Sequence, residues 1–194
     1  MFRSLIAGAA GAALLAAASA AQSATLIYSA NLAGSNEVPS NNSPATGFSV
    51  VTINDVANTL SVHETFNGLV GGPASAAHIH CCTPVGTNTG VAVPFTGFPG
   101  ATGGTYDHTF DLTSTSIYTS TFLSASGGTA AGAEAALLAG LADEQAYANI
   151  HNATFPGGEI RGFLEVPEPA SWALMIFGAG LAGAALRRRR WAVA

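Results

Sequence analysis

Residues 48–53, Phe48-Ser49-Val50-Val51-Thr52-Ile53, and residues 60–66, Leu60-Ser61-Val62-His63-Glu64-Thr65-Phe66, flank the stretch Asn54-Asp55-Val56-Ala57-Asn58. Both runs are rich in β-branched and aromatic residues, and the second alternates apolar Leu60, Val62 and Phe66 with polar Ser61, His63 and Thr65. Such a two-residue period puts successive side chains on opposite faces of a strand. The Asn- and Asp-containing stretch between the runs is turn chemistry, so the segment reads as a β-hairpin.

The same pattern extends outward in both directions. Leu26, Tyr28, Ala30 and Leu32 share one face of an earlier strand, and further strands are expected at 76–80, 91–95, 105–112, 146–151 and 159–166. Gly71-Gly72-Pro73, Gly97-Phe98-Pro99-Gly100, Gly103-Gly104 and Pro156-Gly157-Gly158 punctuate them. Residues 130–145 break the pattern: Leu137, Leu138 and Leu141 fall on one side of an Ala-rich run, which predicts one amphipathic helix. The expected fold class is mainly β, an antiparallel β-sandwich or barrel of about eight short strands with that helix. No solenoid-type repeat is present.

The ends differ from the middle. Arg3, an apolar run over residues 5–18 and the small residues Ser19-Ala20-Ala21 have the order of a Sec-type signal peptide, assigned to residues 1–24. Residues 25–165 form the β domain. Residues 166–194 hold Pro167-Glu168-Pro169, an apolar run over 170–186 expected to form a transmembrane helix, and Arg187, Arg188, Arg189 and Arg190. Residues 25–166 hold ten acids against Arg161 alone, a formal charge of −9 with histidines neutral, and the chain has no Lys. Nucleic acid is excluded as a partner on that charge.

The tripeptide Pro167-Glu168-Pro169, the short apolar run and the arginine cluster together resemble the PEP-CTERM sorting signal. The resemblance implies Sec export and a membrane-tethered intermediate held through residues 170–186. Cutting by an exosortase, then a final place in the cell envelope or outside the cell, and an association with exopolysaccharide and biofilm follow from it. A plain tail anchor is the alternative, since it needs only the apolar run and the charges. Gly34-Ser35-Asn36-Glu37-Val38-Pro39 with Ser43-Pro44-Ala45-Thr46-Gly47, Ala77-His78-Ile79-His80, Ala146-Tyr147-Ala148-Asn149-Ile150-His151, and Phe155-Pro156-Gly157-Gly158-Glu159-Ile160-Arg161-Gly162 resemble, in order, the CHRD domain. That family is named for chordin, whose animal members bind growth factors; the resemblance implies no activity for an exosortase substrate.

Four groups could carry chemistry. His78 and His80, at i and i+2, point to one face of a strand, and His151 could join them. Three imidazoles suit Zn or Cu; otherwise these histidines hydrogen-bond loop backbones and hold one end of the domain together. Cys81-Cys82, the chain's two cysteines, could form a vicinal disulfide in an oxidising compartment, bridge two molecules, or supply thiolates to a metal on His78 and His80. Arg161 is expected in an ion pair with Glu159 or another carboxylate. Phe95 and Phe98, in turn regions, are read as exposed aromatics that could meet a sugar. His63 and His108 lack a ligand pattern, and Asp107, Asp111, Asp143 and Glu144 read as solvated. No calcium loop, phosphate-binding Gly loop or nucleophile elbow occurs. The expectation is an exported, non-enzymatic protein with no catalytic residue and no obligate cofactor. The alternative is a metal-binding protein or metalloenzyme on His78, His80 and His151.

Overall fold

Alternation becomes eight strands in the computed structural model, which describes residues 25–167. They are β1 (Thr25–Ala33), β2 (Thr46–Asn54), β3 (Thr59–Asn67), β4 (Ala74–Cys81), β5 (Val91–Pro94), β6 (Gly104–Asp111), β7 (Ala146–Asn152) and β8 (Ile160–Phe163). The β2–β3 hairpin pairs Ile53 with Leu60 and Asn54 with Thr59. Its turn is built by Asn54, whose Oδ1 accepts the backbone N–H groups of Val56 and Ala57, and by Asn58, which takes a left-handed φ of 50°.

All pairings are antiparallel and join the strands into one sheet, in the order β5-β4-β7-β8-β1-β2-β3-β6. This corrects the sandwich-or-barrel expectation. There are not two packed sheets, and the end strands β5 and β6 are not paired to each other, so the single sheet curls into a half-barrel. Side chains bridge the two ends instead. Phe95, just beyond β5, stacks on Tyr106 of β6 at 5.2 Å, and the Tyr106 hydroxyl donates to the Thr96 carbonyl at 3.1 Å. Leu32, Ile53, Leu60, Ile79, Ile150 and Ile160 supply the fully buried inner face. Removing such side chains from water is the main driving force for the fold.

One helix was expected in the β domain, and among the described residues there are two α-helices, α1 (Ser120–Ala125) and α2 (Ala130–Ala142). Thr119 and Thr129 cap them, their hydroxyls accepting the N–H of Phe122 and of Gly132. Helix α1 escaped the sequence reading because its surroundings are Ser- and Thr-rich, residues that compete with the helical backbone. Helix α2 ends three residues before the expected boundary. Glu144 turns left-handed with φ 57°, and the N–H groups of Glu144 and Gln145 close on the carbonyls of Leu141 and Gly140. Nor is α2 amphipathic in composition. It buries Ala133, Leu137, Gly140 and Leu141, but its exposed side is Ala131, Ala135, Ala139 and Ala142, with Leu138 at the margin.

Among the described residues no helix is long and apolar enough to cross a membrane. The signal segment 1–24, the apolar run 170–186, Glu168, Pro169 and the four terminal arginines lie outside the described residues.

Candidate functional site

Strand β4 reads Ala74-Ser75-Ala76-Ala77-His78-Ile79-His80-Cys81, and its pleat turns Ala77, Ile79 and Cys81 into the core. His78 and His80 therefore stand on the outer face. On β7, Ala146, Ala148 and Ile150 point inward, which leaves Tyr147, Asn149 and His151 outside. The register pairs His80 with Tyr147, His78 with Asn149 and Ala76 with His151, so His151 lies diagonally across from His78. Ring centroids are 5.0 Å apart for His78–His151, 5.5 Å for His78–His80 and 5.9 Å for His80–His151. One ring nitrogen from each lies within 4.8 Å of the other two.

The two readings of these histidines prove compatible. His80 Nδ1 lies 2.8 Å from the Thr89 carbonyl, and His151 Nδ1 lies 2.9 Å from the Pro156 carbonyl. A carbonyl only accepts, so each Nδ1 must carry the proton and each Nε2 the lone pair. Those two Nε2 atoms and His78 Nδ1 are buried with no hydrogen-bond partner. Burial and the neighbouring imidazoles push His78 down to about 4, and burial does the same to His80 against the pull of its loop bonds. Burial also lowers His151. All three are neutral, with lone pairs available, at neutral pH.

The rest of this face is polar and covered. The His80 ring stacks on Tyr147 at 4.7 Å, nearly parallel, and the Arg161 guanidinium lies over the same Tyr147 ring at 4.7 Å. Arg161 is 1% exposed. Its Nε donates to the Asn36 carbonyl at 2.5 Å and its Nη1 to Asn88 Oδ1 at 2.7 Å. Its carboxylate partner is Glu37 at 3.9 Å, which settles which acid the ion pair uses. Glu37 also accepts from Asn149 Nδ2 at 2.7 Å, and burial raises its carboxyl to about 7 against the pull of Arg161 and of Asn149. Glu159 serves elsewhere: it sits just before β8, fully buried, and accepts from Ser43 Oγ at 2.6 Å, from the Val70 N–H at 2.8 Å and from Asn152 Nδ2. Gly158, with φ +125°, passes so close to Asn149 and Glu37 that a Cβ there would strike both.

Cys81 and Cys82 are joined in a vicinal disulfide. Cys81 faces the core, and both sulfurs lie against Gly140 of α2, where a Cβ would collide with them. Their sulfurs are thus turned away from the histidine face. The structure also overturns the reading of Phe95 and Phe98 as exposed. Phe95 is 5% exposed and stacks with Phe98, which in turn stacks on Phe66 at 5.0 Å. They bridge the gap between β5 and β6, which are not paired to each other. His63, bonded to Asp107 at 2.6 Å on the exposed side, and His108, between Tyr106 and Phe110, belong to β3 and β6 at the other end of the sheet.

Tyr147, Asn149, Glu37 and Asn88 were not among the sequence candidates. The period of two from His151 back to Asn149 and Tyr147 was a usable signal; nothing local pointed to Glu37 or Asn88. The stretches that carried the CHRD resemblance meet on this side of the sheet: they supply Asn36, Glu37, His78, His80, Tyr147, Asn149, His151 and Arg161 to the face, and the neighbouring Ser43–Glu159 bond. Neither a curated protein nor a solved structure matches the chain. The family model for the CHRD domain matches residues 28–164, and that for the PEP-CTERM protein-sorting motif matches residues 165–190. The second match makes this an exported protein with a membrane-anchored intermediate and an exosortase-type processing enzyme. By the first, which takes in every strand but the opening of β1, the chain belongs to the CHRD domain family.

Proposed function

We propose that this is a non-enzymatic protein of the cell envelope or extracellular matrix. It is exported through residues 1–24, held briefly through residues 170–186, and released by an exosortase to work beside exopolysaccharide. The observation that carries this reading is the sorting-motif match on residues 165–190, directly after the last strand of the domain. Two features of the domain support it. Its surface carries many acids against one buried arginine, which favours solubility outside the cell. Glu159 and Arg161 are committed to loop hydrogen bonds and the cysteines to each other, which leaves the three histidines, each with a ring nitrogen lacking a partner, as the groups on this face free for chemistry.

Mass spectrometry of the C-terminus in the native host tests the sorting half. The mature chain should lack residues 172–194, and Pro167→Ala, Glu168→Ala and Pro169→Ala together should leave the uncut form in the membrane. A mature chain still ending at Ala194 would make this a plain anchored protein.

A further inference from the structure

Three buried ring nitrogens, His78 Nδ1, His80 Nε2 and His151 Nε2, have no hydrogen-bond partner on the outer side of β4 and β7, where the three histidines cluster. The His80 and His151 Nε2 atoms are acceptors, and the neutral His78 ring, whose tautomer no loop bond fixes, can present Nδ1 as a third. A metal ion accepts all three lone pairs at once. We propose that His78, His80 and His151 form a mononuclear three-histidine site for a divalent transition ion, Zn(II) or Cu(II).

The donor set selects the ion class. It contains three imidazoles and no free carboxylate or thiolate: Glu37 is held by Asn149 and Arg161, and the cysteine sulfurs are bonded to each other on the far side of the sheet. Calcium and magnesium require oxygen ligands, whereas imidazole suits Zn and Cu. Ligand nitrogens bound at about 2.0–2.1 Å around a tetrahedral ion sit roughly 3.4 Å apart, so rotation of the rings within the 4.8 Å cluster suffices to close the site.

The supporting shell is already built. The Thr89 and Pro156 carbonyls hold the Nδ1 protons of His80 and His151, the arrangement that orients a metal-binding imidazole and raises its basicity. The Tyr147 ring, wedged beneath Arg161, keeps the His80 ring in one plane. Three protein ligands leave a fourth position for water or a small anion. His78 also lines a groove of about 260 Å³ between residues 74–78 and 94–98, which provides an approach from solvent.

The full chain, free of any affinity tag and stripped with chelator, should be titrated with ZnCl₂ and with CuSO₄ by calorimetry. Bound metal should be counted by elemental mass spectrometry. One equivalent per chain is expected, and the Cu(II) form should show electron paramagnetic resonance with hyperfine splitting from three nitrogens. His78→Ala, whose Nδ1 carries no loop bond, and His151→Ala should each weaken binding at least tenfold, while His63→Ala and His108→Ala leave it unchanged. Circular dichroism checks that each variant folds; the wild-type nitrogen count stands even if a variant does not. Less than a tenth of an equivalent bound, fewer than three coupled nitrogens, or equal affinity in wild type and His78→Ala would each overturn the site. The sorting reading is untouched by any of these outcomes.

Discussion

The β1–β2–β3–β6 half and the β5–β4–β7–β8 half begin from the same alternating pattern, yet only the first keeps a wet outer face. On β3, Leu60, Val62, Glu64 and Phe66 are buried while Ser61, His63 and Thr65 are not. On β7, every residue but His151 is buried, and β8 buries Ile160, Arg161 and Gly162 in succession. The cause is what crosses the sheet. The β1–β2 connection brings Asn36, Glu37, Asn41 and Ser43 over β7 and β8, and the β4–β5 connection adds Asn88 and Thr89. Polar residues that alternation sends outward become interior, where burial favours a hydrogen-bond partner, and the loops supply one to most of them but not to the histidine cluster. In the first half the outer pairs, Ser61 with Thr109 and His63 with Asp107, stay at the surface. The lesson is that the same polar side chain is decoration on one half and framework on the other.

The sharpest way to break this comparison is to remove one polar partner from each half. Arg161→Ala should cost about 3–5 kcal/mol in denaturant unfolding, because it strands Glu37 and opens the stack on Tyr147. His63→Ala, which breaks the exposed pair with Asp107, should cost less than about 1 kcal/mol. Similar losses from the two would mean that the loops do not seal the outer face of the second half.

A smaller effect is expected where α2 meets the disulfide. Gly140→Ala would drive a methyl group into both sulfurs and should destabilise by about 1–3 kcal/mol. Thiol labelling of the denatured, unreduced wild type should find no free cysteine. A readily labelled pair would remove the wall against which α2 packs.

The smallest effect belongs to the first half and reverses its simplicity. Glu64 is fully buried on the inner face beside Ser49, and burial raises its carboxyl to about 8 from the usual 4.5. The folded chain therefore holds a proton that the unfolded chain releases. The stabilising contribution is complete below about pH 4.5 and is lost as pH rises towards 8. Glu37 acts in the same direction up to about pH 7, and the lowered histidines change nothing above their ordinary 6.5. Between pH 7 and 8 the wild type should lose about 1 kcal/mol, and Glu64→Gln should lose little over that interval. An equal slope in both would show that Glu64 is already ionised in the fold.

How much was readable varied by half and by range of interaction. All eight strands were visible, because each alternates or clusters β-branched and aromatic residues between Gly, Pro and Asn turns. The His78–His80 pair was readable as one-faced from spacing alone, and His151 as a third member only from its place at the end of another strand. Phe95 and Phe98 were misread because a turn next to a Gly or Pro usually lies at the surface; here the unpaired sheet ends recruit them. Helix α1 is six residues long, too short for a period of 3.6 to show against a run of Ser and Thr.

By itself the sequence determined the strands, their inner faces, the three-part tail from Pro167 to Arg190, and the acidic, Lys-free character of the domain. These are local properties: a two-residue period, a turn residue, a charge count, and each is complete within a few positions. Only the tertiary structure decided that the sheet is one curled half-barrel, that Arg161 pairs with Glu37 across 124 positions rather than with Glu159, and that three ring nitrogens converge without a donor. Those outcomes depend on which loop crosses which face and on the register between distant strands. Chain connectivity leaves both open until the core closes and buried polar groups select their partners.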